Sequence, residues 1–135
     1  MGNNISINRI NFKDMQYAIN NNMKIINTLD INNQDCLIKN TLSPEEEVNI
    51  INGIVEKKLQ TKIIIYGENS SDDTLIKKYY QLRKLGIKNI YVYVGGLFEW
   101  LLLQDIYGED IFPTSSTHID ILKYSGDISH DIRYI

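Results

Sequence analysis

Lys62-Ile63-Ile64-Ile65-Tyr66-Gly67-Glu68-Asn69-Ser70-Ser71-Asp72-Asp73 opens the stretch that decides the fold, which runs on to Gly95-Gly96-Leu97-Phe98-Glu99-Trp100. Ile63, Ile64 and Ile65 form a continuous β-branched run, the pattern of a strand covered on both faces in a parallel sheet. The acidic loop that follows ends in Ser71 or Asp72, either of which can cap a helix. Leu75, Tyr79 and Leu82 then recur at helical spacing and face inward, and Gly86 stops the helix. Residues 90–94 read as the next strand, Gly95-Gly96 as a turn, and Leu97 to about Ile106 as a further helix.

Working outward, residues 5–10 alternate apolar and polar and predict a short strand. A helix over residues 12–22 follows, with Phe12, Met15, Ala18 and Ile19 on one face and three asparagines at its end. Residues 24–28 and 36–38 read as short strands. Ser43-Pro44-Glu45-Glu46 is a helix start with a capping box, proline at the first helical position and acidic side chains at the positive end. Val48, Ile51 and Val55, widened by Ile54, form its apolar face. Residues 112–117 read as a loop and 119–124 as a short helix. Strands alternating with helices give an α/β fold with a mainly parallel sheet of about five strands and helices on both faces. One domain over 1–124 and a tail over 125–135 are expected; 135 residues suit one core.

A net charge of −3 and no basic face visible in the sequence exclude nucleic acid as an expected partner. One cysteine, Cys36, makes an internal disulfide impossible and favours a reducing, cytoplasmic setting. Heavy use of Ile and Asn fits AT-rich codons, as in protists and their large DNA viruses, so a virion location is the other expectation. No signal peptide is read at the start, but Gly2 and Ser6 match the N-myristoylation pattern. Residues 87–106 are apolar yet broken by Lys88, Gly95-Gly96, Glu99 and Gln104, so no transmembrane segment is expected.

The wording Ile63-Ile64-Ile65-Tyr66-Gly67 and Gly95-Gly96-Leu97-Phe98-Glu99-Trp100 resembles the C-terminal half of a rhodanese-like domain, and the likeness spans residues 5–104. The resemblance implies a loop after the central strand that holds a sulfur-carrying cysteine, with inward backbone amides and a basic residue closing it. Related cell-cycle phosphatases use a similar loop for phosphate. Here the cysteine position is Gly67, and Asp72 lies near where an arginine commonly stands. Cys36-Leu37-Ile38 stands where a Gly-His-Ile segment is expected, and only the isoleucine agrees. The chain is thus similar to an inactive member of the family, with Gly67, Glu68, Asn69, Ser70, Ser71, Asp72 and Asp73 as its degenerate active-site loop.

Glycine offers no thiolate. The carboxylates of Glu68, Asp72 and Asp73 oppose an external anion, and Asp72 or Asp73 can occupy the helix start in its place. Ser70 and Ser71 read as caps, Cys36 as a small core residue, and His118 and His130 as surface histidines without ligand spacing. No cofactor and no metal are expected. The expected function is a protein-interaction module, with homo-oligomerisation open. It would bind through the degenerate loop or through an apolar face of Phe98, Trp100, Leu101, Leu102, Ile106 and Tyr107. The alternative is an enzyme, either a sulfurtransferase carrying sulfur on Cys36 or a hydrolase using the acidic loop.

Overall fold

The computed structural model describes residues 7–117 and 120–126. The elements are β1 (Asn8–Ile10), α1 (Phe12–Asn20), β2 (Lys24–Asn27), α2 (Pro44–Lys57), β3 (Ile63–Tyr66), α3 (Asp73–Lys84), β4 (Ile90–Tyr93) and α4 (Gly96–Tyr107). Single 3₁₀ turns lie at Ile31–Asn33 and Ile121–Tyr124. The four strands pair parallel in the order β1-β4-β3-β2. Ile63 stands opposite Ile90 and Lys24, and Asn8 opposite Tyr91, so all four strands start at one edge of the sheet.

The alternation of side chains along β3 divides the core. Ile64 and Tyr66 point into one apolar layer with Met15, Ala18, Ile25, Tyr93, Leu97, Trp100 and Leu101, beneath α1 and α4. Ile63 and Ile65 point into the other with Ile51, Ile54, Leu75, Tyr79, Leu82, Ile90 and Val92, beneath α2 and α3. Both faces of β3 are therefore dry, as its β-branched run requires.

The local signals act as expected at the helix starts. Ser43 Oγ accepts from Glu46 N at 3.1 Å while Glu46 Oε1 accepts from Ser43 N at 2.9 Å, completing the capping box of α2. These bonds hold the Glu46 carboxyl below its ordinary pKa. Glu47 on α2 pairs with Lys78 on α3, locking the two helices on that face. The apolar face of α2 is narrower than its spacing suggests: Ile51 and Ile54 are buried, whereas Val48 and Val55 face solvent.

The sheet has four strands rather than about five. Residues 36–38 make only one isolated bridge, Ile38 with Thr114, and the nearby Thr41 makes another with Ile25. The reason lies in Tyr66. Its buried hydroxyl accepts from Ile38 N at 3.1 Å and meets Thr41 Oγ1 at 2.7 Å, so the backbone here bonds to a side chain instead of a ladder. Residues 1–6, 118–119 and 127–135 lie outside the described residues, and with them Gly2, His118, His130 and most of the expected tail. No described helix is long and apolar enough to cross a membrane. The expectation of no basic face needs correction. The loops before β3 and β4 and the ends of α2 and α3 bring Lys57, Lys58, Lys62, Arg83, Lys84 and Lys88 to one edge.

Candidate functional site: the loop after β3

β3 delivers Gly67 at the carboxyl edge of the sheet, between Tyr66 and the start of α3. Asp72 is the N-cap of α3 and turns back into the loop. One carboxylate oxygen accepts from Glu68 N at 2.9 Å; the other accepts from Thr74 N at 2.9 Å and Thr74 Oγ1 at 2.6 Å. Asn69 Oδ1 accepts from Ser71 N at 2.9 Å, and its amide donates to Tyr124 O at 2.9 Å. Thr28, following β2, exchanges a hydrogen bond of 2.9 Å with Thr74 Oγ1. The amides of Glu68, Ser71 and Thr74 are thus satisfied from within the loop.

A methyl group at Gly67 would begin 2.4 Å from Asp72 Oδ2 and 3.0 Å from Thr28 Oγ1. Any side chain at position 67 and the Asp72 carboxylate therefore compete for one space. Gly96 closes the loop from the other side. It adopts φ +70°, and a Cβ there would lie 2.7 Å from Gly67 O and 2.9 Å from Asn69 N. This close approach lets Leu97 N donate to Gly67 O at 2.9 Å and Phe98 N to Glu68 O at 2.8 Å. The Gly-Gly turn is a wedge that fixes the loop onto α4.

The site is acidic. Partial burial, followed by the charges of Asp72 and Asp30, holds the Glu68 carboxyl above its ordinary pKa, and Lys123 offsets part of this. Beside the loop lies a groove of about 510 Å³ lined by Glu68, Asn69, Asp72, Asp73, Thr74 and Lys123. Ser70 and Ser71 are exposed. No three His, Cys, Asp or Glu side chains among the described residues come together as metal ligands.

Cys36 is placed elsewhere. It is 1% exposed, packed in the α1/α4 layer, and its thiol donates to Ser116 O at 3.3 Å. Burial pushes its pKa up, the reverse of what a nucleophilic thiolate needs. The expected apolar face is split. Trp100 and Leu101 are in the core and cannot touch a partner, Phe98 is half-buried, and Leu102, Ile106 and Tyr107 face solvent. Residues 112–114 cover the buried side: Trp100 Nε1 donates to Pro113 O at 3.0 Å, and its ring meets Phe112 edge-on at 5.0 Å. Tyr93 packs on the same indole at 6.1 Å while its hydroxyl donates to Glu99 at 2.6 Å. Thr28 and Lys123 carry no signal in the sequence that places them at this loop, whereas Gly95-Gly96 does carry one, which reads as a turn rather than as a contact.

A strand-loop-helix centre in a parallel sheet, with this loop at the carboxyl edge, is the architecture of the rhodanese group. The chain belongs to the rhodanese-like domain family, whose model matches residues 16–103. Among solved structures, Alr3790 from Anabaena is 17% identical with a TM-score of 0.56, covering 84% of this chain and 97% of its own. Ygr203w of yeast, described as a protein tyrosine phosphatase of the rhodanese family, is 14% identical with a TM-score of 0.56, covering 87% and 98%. BH2092 from Bacillus halodurans is 17% identical with a TM-score of 0.56, covering 75% and 74%. Identities this low establish the fold alone. A sequence search of curated proteins finds no match.

Proposed function

We propose that this chain is a catalytically inactive rhodanese-like domain that serves as a protein-interaction module in the cytoplasm. The observation that carries the reading is the Asp72 carboxylate. It sits against Gly67, where a side chain would begin, and bonds Glu68 N and Thr74 N. Thiosulfate and phosphate carry the same charge as this carboxylate and would have to displace it from a loop that also holds Glu68 and Asp73. No thiol replaces what Gly67 lacks, because Cys36 is buried in the core with a raised pKa. The contact surface is then the acidic groove beside the loop, which suits a basic segment of a partner protein. The exposed Leu102, Ile106 and Tyr107 on α4 form a separate apolar strip for the same role.

Steady-state turnover tests the reading. Sulfur transfer from thiosulfate to cyanide, and hydrolysis of an aryl phosphate, should both run at the buffer rate with millimolar donor. Turnover lost in Cys36→Ser would support sulfur carriage on that thiol, and turnover lost in Asp72→Asn would support hydrolysis at the loop.

A further inference from the structure

At the edge of the sheet where the strands begin, two loops run side by side. Asn89 Nδ2 donates to Gln60 O at 2.9 Å, and Ile63 N donates to Asn89 O at 2.9 Å. α2 ends here with Lys57 and Lys58, and α3 with Arg83 and Lys84; Lys62 and Lys88 stand in the two loops. Glu56 is the one acid on these stretches. Cations at helix C-termini complement the helix dipoles, which accounts for Lys57, Arg83 and Lys84. It does not account for Lys62 or Lys88. Nor does it explain the exposed aliphatic side chains between them: Val55 is 39%, Leu59 49% and Leu85 45% exposed. These three, with Lys58 and Lys88, line a cleft of about 350 Å³. Among the described residues, none of the six cations is in an ion pair.

We propose that this edge is a docking surface for an anionic lipid bilayer. Charge complementarity carries the proposal. The whole chain is negative at −3, yet this edge is strongly positive while Glu68, Asp72 and Asp73 sit at the opposite edge. A molecule so polarised turns its basic end toward a negative surface. The residue types select lipid over other anions. Five of the six cations are lysines and no aromatic lines the cleft, whereas protein hot spots favour Trp, Tyr and Arg and single-stranded nucleic acid needs stacking platforms. Lysine stems lie along apolar surface and keep their charge at the headgroups, so Val55, Leu59 and Leu85 can enter the interface. The chain also enters β1 at this edge, since Asn8 pairs with Tyr91. Gly2 precedes Asn8 by six residues in the chain, and an acyl chain together with a basic patch is a sufficient pair of anchoring signals.

Co-sedimentation of the whole chain with vesicles tests this. The vesicles are phosphatidylcholine alone, or phosphatidylcholine with about a third phosphatidylserine, at low and physiological salt. Both unacylated and N-myristoylated protein are used. The proposal expects binding to the anionic vesicles only, weakened by salt. At about 1 kcal/mol per cation near the surface, each lost lysine should weaken partition about fivefold, so Lys58→Gln/Lys62→Gln/Lys88→Gln together weaken it on the order of a hundredfold. Lys13→Glu/Lys77→Glu, in the first halves of α1 and α3 and away from this edge, should bind as the parent does. All five positions are exposed, and thermal melts check that the variants fold. Equal binding to neutral vesicles would overturn the proposal. So would indifference to the triple change, or binding of polynucleotides or acidic proteins in the absence of any vesicle binding.

Discussion

Alanine at position 96 would place a methyl group into the backbone of the loop. The cost has two parts. Holding a non-glycine residue at φ +70° costs about 1–2 kcal/mol. The new Cβ would stand 2.7 Å from Gly67 O and 2.9 Å from Asn69 N, atoms that cannot rotate away, and such overpacking costs about 1–3 kcal/mol. Gly96→Ala should therefore lose roughly 2–5 kcal/mol. For a chain of 135 residues this lowers the melting temperature by roughly 7–18 °C. Two other glycines separate the parts. Gly86 has φ +95° with nothing within 4 Å, so Gly86→Ala carries only the conformational cost of about 1–2 kcal/mol. Gly53 lies inside α2 with nothing within 4 Å, so Gly53→Ala should stabilise by about 0.5–1 kcal/mol. Thermal or urea melts of the three variants should rank them Gly53→Ala, parent, Gly86→Ala, Gly96→Ala. Equal losses at positions 86 and 96 would refute the wedge between α4 and the loop.

Trp100→Ala removes a fully buried ring and its bond to Pro113 O, and should cost about 3–5 kcal/mol in a urea melt. A loss below about 1 kcal/mol would mean that the indole is an exposed contact after all. Glu68 titrates above its ordinary value of 4.5 because of burial and the neighbouring Asp72 and Asp30, so folding disfavours its charged form. That penalty is full above the raised folded-state pKa and absent below 4.5. Glu68→Gln should thus raise the melting temperature at pH 7 and leave it unchanged near pH 4, and the same gain at both pH values would contradict this account. Cys36, 1% exposed with a raised pKa, should resist Ellman's reagent in the native chain and react fully in denaturant. Rapid native labelling would place the thiol at the surface.

The sequence made the order of elements readable because each signal is local. The capping box at Ser43, the β-branched run of β3 and the Leu75, Tyr79, Leu82 spacing each report on their own few residues. What failed to show in the sequence depends on residues distant along the chain. The segment at Cys36 looks like a strand, but Tyr66 and Ser115, far along the chain, take its backbone bonds. Trp100 and Leu101 look the same as Ile106 and Tyr107 in an apolar run until Phe112 and Pro113 decide which side is covered. Asp72 was readable as a helix cap, since capping is local; its contact with Gly67 and the wedge of Gly96 were not. The basic edge stayed hidden because its lysines fall in separate segments that only the parallel topology brings together.

Intact-protein mass after incubation with thiosulfate or mercaptopyruvate tests the central claim most directly, with Cys36→Ser as control. One cysteine makes the outcome simple to read. An inactive domain shows the parent mass unchanged under native conditions. A stable gain of one sulfur atom, absent from the control, would contradict that account and make Cys36 a sulfur carrier.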